Sequence, residues 1–223
     1  IGELLPCVHR LARERGLSEN LFSFELFAGQ IEDRTPPCCN LEAIRIALSA
    51  NDRVLLEAAS SLGLAFDHSE FVDEEMVVAF EVNPFDERHG RIWASIQNDR
   101  RIAASVVAAV HVHISVADEE AVSILNLCRK DVIDRLIAVG DHSRLKRINA
   151  YRTMAETDGV PPEFVSFSEV MEYITSKGGE KNVWDLVRHK PSTKTVEFRM
   201  FGATQSIEEI LGYVKACQDV SGI

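Results

Sequence analysis

The chain has 223 residues, 46% of them hydrophobic and 26% charged, with a formal net charge of -11. Such a composition suits a globular protein with one sizeable core or two small ones, and the acidic balance without a basic stripe excludes nucleic acid as an expected partner. Charges interrupt every apolar run well before the ~18 residues a membrane helix needs, and no basic segment leads into an apolar one, so neither a span nor a signal peptide is expected.

Leu4, Leu5, Val8, Leu11 and Ala12 form a helical stripe that Gly16 ends. Leu21 to Ile31 reads as one strand, stopped by Pro36-Pro37. Asn40 is suited to cap a long helix running to Ser61, with Gly63 as its stop. Met76 to Val82 has the pattern of a short buried strand, and the segment from about Arg88 to Ala108 that of a helix. Val110 to Val116 alternates β-branched residues with histidines, which predicts a strand. Asp118 and its neighbouring glutamates open a helix whose apolar face carries Leu125, Val132, Leu136 and Ile137. Residues 141–165 are polar and read as irregular. Ser166 or Ser168 caps a helix ending at Gly178-Gly179, strands follow at Trp184–Val187 and Thr195–Phe201, and Ser206 caps a last helix. Five cysteines (Cys7, Cys38, Cys39, Cys128 and Cys217) form no paired framework and fit free thiols in a reducing, cytoplasmic compartment. Long helices joined to strands by short turns are open to a parallel sheet. Polar residues on every second position of several strands favour an α+β fold instead, an antiparallel or mixed sheet with helices behind and a polar concave face in front; periodicity alone does not decide between them.

Three segments carry candidate chemistry. His111 and His113, two apart in a strand, share one face, which suits a metal or phosphate site and equally a polar pocket lining. Glu197 and Arg199 share a face in the same way, with Val196 and Phe198 turned to the core. A carboxylate there can hold a hard cation and a guanidinium can clamp a phosphate; a cross-strand salt bridge is the other reading. Glu25 lies within the first predicted strand and Glu32 at its end, on opposite faces unless a bulge near Gly29 intervenes, and Glu32 is the stronger candidate. Oxygen and nitrogen donors with a phosphate clamp fit magnesium and a nucleotide better than zinc. Gly178-Gly179 is a helix stop, and no Walker-type phosphate loop occurs.

The segment Val110-His111-Val112-His113-Ile114-Ser115 resembles the His-x-His strand of the glutamate–cysteine ligase and glutamine synthetase superfamily. Glu197-Phe198-Arg199 is similar to that superfamily's Glu-x-Arg strand, and Glu25 to Gly63 to its Glu-Leu…Glu…Thr-Pro segment with a helix ending in Leu62-Gly63-Leu64. Trp184-Asp185 precedes the arginine strand as in those relatives, and Phe201-Gly202-Ala203-Thr204 is similar to the related amidoligases. The resemblance runs from about Phe24 to Val220, with bacterial carboxylate–amine ligases of the glutamate–cysteine ligase type as the match.

This resemblance implies a curved, mainly antiparallel glutamine synthetase-like sheet with helices on its convex side. Residues 1–223 would form a single catalytic-type domain, without the family's N-terminal Glu-x-Glu strand and C-terminal extension. It implies an ATP- and Mg-dependent ligase acting through an acyl phosphate. Glu32, His111 and Glu197 would hold metal, and Arg199 would sit on the transferring phosphate. Arg152 would face substrate, and His113, Glu25, Arg188 and Lys190 would line the substrate or nucleotide region. Partners would be small molecules, an amino-acid carboxylate and an amine, with a homo-oligomer left open. A non-catalytic nucleotide or amino-acid binder of the same fold, or a metal-dependent hydrolase, are the alternatives.

Overall fold

The computed structural model describes residues 2–27, 29–73, 75, 81–84, 87–95 and 98–222. The chain divides into two compact units, residues 1–68 with 72–106, and residues 69–71 with 107–223. Each combines helices with a small antiparallel sheet, so the α+β class holds. Among the described residues no helix is long and apolar enough to cross a membrane.

In the first unit, α1 (Leu4–Glu14) buries Leu4, Val8, Leu11 and Ala12, the stripe that its sequence period dictates. These residues pack with Phe22, Val54, Leu55, Ala58 and Ala59 into one core. The partner helix α2 (Leu41–Ser61) is capped by the Asn40 side chain, which accepts from the Ala43 amide at 2.8 Å. At its other end Leu64 N–H reaches the Ala59 carbonyl and Gly63 N–H the Ser60 carbonyl. That closure requires Gly63 at φ +66, so the Leu62-Gly63-Leu64 turn is a helix stop made of backbone geometry.

The single strand expected over Leu21–Ile31 is instead two, β1 (Phe22–Phe24) and β2 (Ile31–Asp33), paired antiparallel with Ser23 opposite Glu32. The chain reverses between them, with Gln30 N–H on the Phe27 carbonyl, and an alternating pattern carries no sign of such a reversal. Two helices, α3 (Glu87–Ser95) and α4 (Asn98–Ser105), occupy the helical segment predicted from Arg88. The strand predicted from Met76 lies largely outside the described residues.

The second unit is built on a three-stranded antiparallel sheet of β3 (Ala109–Ser115), β4 (Val187–Lys190) and β5 (Thr195–Gly202), with β5 in the middle. The helix predicted from Asp118 is two, α5 (Asp118–Leu127) and α6 (Lys130–Gly140). They part at buried Cys128, where Arg129 turns its guanidinium back onto the carbonyls of Leu125 and Pro161. Within the stretch read as irregular lies α7 (Lys146–Ala155). Its buried stripe is Arg147, Ile148, Tyr151 and Met154, and an arginine and a tyrosine in that stripe hide the helical period from a hydropathy reading. The helix α8 (Phe167–Ser176) is capped by Ser166, and α9 (Ile207–Ser221) by Ser206. Helices α6 and α9 pack on β5 and β3 respectively, covering the sheet's apolar side. The strand expected at Trp184–Val187 begins only at Val187 and runs on through Arg188-His189-Lys190, all paired with β5.

Arg147 is 1% exposed and bonds the Met200 carbonyl, with Glu70 as its counter-charge at 3.8 Å. Glu70 in turn accepts from the His142 amide at 2.8 Å and lies where a side chain on residue 202 would project. A Cβ on Gly202 would fall on the Glu70 carboxylate. Gly202→Ala is therefore expected to push Glu70 off its partners and destabilise the protein by about 1–3 kcal/mol, read as a lower urea midpoint by circular dichroism. A midpoint unchanged from wild type would show that Glu70 is not needed where the structure puts it.

Candidate active site

Strand register assembles the site. In an antiparallel sheet directly paired residues share a face, and β5 pairs Glu197 with His113 on one side and with Arg188 on the other. One rung across all three strands thus reads His113–Glu197–Arg188. The next rung on the same face reads Ser115–Thr195–Lys190. Between Val110 and Val112 the register slips by one residue, which brings His111 beside the same carboxylate.

Glu197 is 2% exposed. Its Oε2 accepts from Arg188 Nε at 2.5 Å. Its Oε1 is approached by His111 Nδ1 at 3.3 Å, His113 Nε2 at 3.5 Å and Arg199 Nη1 at 3.5 Å. Burial alone would push this carboxyl up; the two imidazoles and the Arg199 charge outweigh it and hold the group well below the carboxylate range. His111 is pushed down by desolvation and by Arg199, against the pull of Glu197. Two guanidinium groups then surround one carboxylate, and the cluster is locally positive in a chain of net charge -11.

The two arginines are held differently. Arg188 Nη1 donates to the carbonyls of Glu180 at 2.8 Å and Val183 at 2.6 Å, so this side chain is a strut between β4 and the segment before it. Arg199 lies with its guanidinium carbon 5.7 Å from the ring centroids of both Tyr151 and Trp184. His113 Nδ1 meets Thr195 Oγ1 at 3.0 Å, and Thr195 Oγ1 meets Thr193 Oγ1 at 2.7 Å.

Of the residues singled out from sequence, His111, His113, Glu197, Arg199 and Arg188 come together here. Lys190 stands one rung away, half-buried, opposite Thr195. Arg152 donates through Nε to the Asp158 carbonyl at 3.0 Å, in the turn after α7. Glu25 and Glu32 belong to the first unit. There Glu32 accepts from Ser23 at 3.1 Å and pairs with Arg34 at 3.3 Å, while Glu25 accepts from the Leu26 amide at 3.2 Å. Tyr151 was not singled out from sequence, while Trp184 and Thr195 stood there as parts of motifs and strands without a site role. The tyrosine sits on the helix hidden by Arg147, and an aromatic residue alone carries no pattern of a site.

Among the described residues no group of three or more His, Cys, Asp and Glu side chains is arranged to hold a metal ion. A complete protein cage is therefore absent there. One carboxylate oxygen, Glu197 Oε1, has only long contacts, and that suits the single protein carboxylate magnesium often takes when substrate phosphates supply other ligands.

No family model matches the sequence. The chain is similar to curated proteins named "Putative glutamate--cysteine ligase 2". The one from Rhodopirellula baltica is 27% identical over 239 residues, covering 96% of this chain and 62% of that protein. The one from Chloroflexus aurantiacus is 26% identical over 221 residues, covering 87% of this chain and 53% of its own length. The chain thus spans little more than half the length of the relatives it matches.

Removing the Glu197 charge would leave Arg188 and Arg199 without their counter-ion. Glu197→Gln is expected to cost about 3–5 kcal/mol at pH 7. Because the folded-state value lies below the ordinary 4.5, this contribution is complete above pH 4.5 and declines as pH falls beneath it. Urea midpoints of wild type and Glu197→Gln should converge as pH drops below 4.5. A gap independent of pH would refute the ionised, charge-compensated rung.

Proposed function

We propose that the chain is a glutamate–cysteine ligase-like protein that joins an amino-acid carboxylate to an amine with magnesium and ATP. The observation that carries this reading is the Glu197–Arg199 pair on the central strand. It offers an ionised carboxylate and a guanidinium side by side, within a locally positive cluster, in a chain similar to proteins carrying that ligase name. A curved, glutamine synthetase-like sheet is part of the same proposal.

In the proposed reaction a substrate carboxylate oxygen attacks the γ-phosphorus of ATP and the bond to the ADP oxygen breaks. The amine then attacks the acyl carbon, loses a proton, and phosphate leaves. Such transfers ask the protein mainly for positioning and charge neutralisation. Arg199 would neutralise oxyanions of the moving phosphoryl group. Glu197 Oε1 and His111 would face a magnesium ion, which when bound supplies further charge neutralisation. Arg188 would keep Glu197 ionised and in place, and His113, fixed by Thr195, would line the substrate region.

The test is ADP release by the purified protein with magnesium-ATP and glutamate, each natural amino acid being added in turn. Release that depends on one amine is expected. Arg199→Ala should lower it by about 10²–10³-fold while circular dichroism stays native. Bound nucleotide with no release under any amine would replace the ligase by a non-catalytic binder. Near-native turnover of Arg199→Ala would remove Arg199 from the chemistry.

A further inference from the structure

Arg199 is 8% exposed, yet its Nε meets no hydrogen-bond partner, and its nearest counter-charge, Glu197, is 3.5 Å away. A buried guanidinium with an idle donor is costly unless something holds it and something else completes it. What holds it is aromatic: Tyr151 and Trp184 each stand within cation–π range, at 5.7 Å. The two rings are themselves tied together, since Tyr151 O–H donates to the Trp184 carbonyl at 2.7 Å and the ring centroids are 6.4 Å apart. The backbone adds a third tie, Arg199 N–H to the Leu186 carbonyl at 2.9 Å.

We propose that Tyr151 and Trp184 are positioning residues that clamp the Arg199 guanidinium so that its N–H edge is presented to the oxyanions of a phosphoryl-bearing substrate. The proposal rests on the reading of Arg199 given above. Ring faces are suited to this task because they attract the cation without cancelling its charge, and the Tyr151 hydroxyl adds a side-chain hydrogen bond with the guanidinium. A carboxylate in their place would cancel that charge and compete with the incoming anion. Arg188 makes the contrast: its Nε and Nη1 are spent on Glu197 and two carbonyls, so it holds the site and leaves binding to Arg199.

Trp184 is one of only two tryptophans in the chain. In a Trp93→Phe background it becomes the sole reporter, and the probe is inorganic pyrophosphate. Trp184 emission is expected to change saturably on titration, and Arg199→Gln to abolish the change. Tyr151→Phe, which keeps the ring, should hold the midpoint within about threefold, whereas Tyr151→Leu should raise it about tenfold. Should Tyr151→Leu lose its circular dichroism signal, Trp184→Phe against Trp184→Leu, titrated by calorimetry, supplies the same comparison. Silence of Trp184 under saturating pyrophosphate, or equal affinity in the aromatic and aliphatic variants, overturns the clamp. Turnover plays no part in this readout, so failure of the ligase reading would show separately, in ADP release.

Discussion

A carboxylate at the centre of a fully buried strand stays ionised only if the surrounding groups return what water would have supplied. Glu197 meets that demand with Arg188 on one oxygen and two imidazoles and Arg199 on the other. The requirement propagates outward. Arg188 must itself be satisfied, and the carbonyls of Glu180 and Val183 do so, which fixes the segment leading into β4. That segment carries Trp184, whose carbonyl anchors Tyr151, and both rings then confine Arg199. A single buried charge thus explains why three strands, one helix and one loop are held in mutual register.

The same device recurs at the far end of β5, where Glu70 and Arg147 form a second buried pair beside Gly202 and Met200. Buried pairs of this kind seldom stabilise more than well-packed apolar residues would. Their effect is on choice of register. A one-residue slip of β5 would swing Glu197 and Arg199 to the side occupied by Val196 and Phe198, into the apolar layer under the helices. Two charged anchors, Glu197 within the central strand and the Glu70–Arg147 pair beside its far end, make every slipped pairing expensive.

How much of this was legible beforehand follows from what leaves a periodic trace. His111-x-His113 and Glu197-x-Arg199 were readable because β-branched or aromatic neighbours alternate with them, a strand signature independent of partners. Their mutual approach was supplied by resemblance, since pairing register is a long-range fact with no local mark. The Leu21–Ile31 hairpin was missed because residues on both sides of its turn keep one alternating pattern. Helix α7 was missed for the opposite reason: its buried stripe includes an arginine whose partner, Glu70, is 77 positions upstream. Tyr151 was lost with it, and the aromatic half of the Arg199 environment went unseen.

The two oxygens of Glu197 are held differently. An unsatisfied lone pair in a buried site is costly, so short bonds to both oxygens would be the most stable arrangement of an ion pair. Oε2 obeys that rule at 2.5 Å, while the three contacts to Oε1 all lie between 3.3 and 3.5 Å. In the proposed function, donors that converge on one atom without closing on it would tighten when a ligand arrives. Arg199, which approaches this oxygen through Nη1 and keeps an idle Nε, extends the same shell. A cation at Oε1 and an oxyanion at the Arg199 edge would complete it together, because each neutralises the charge that the other introduces.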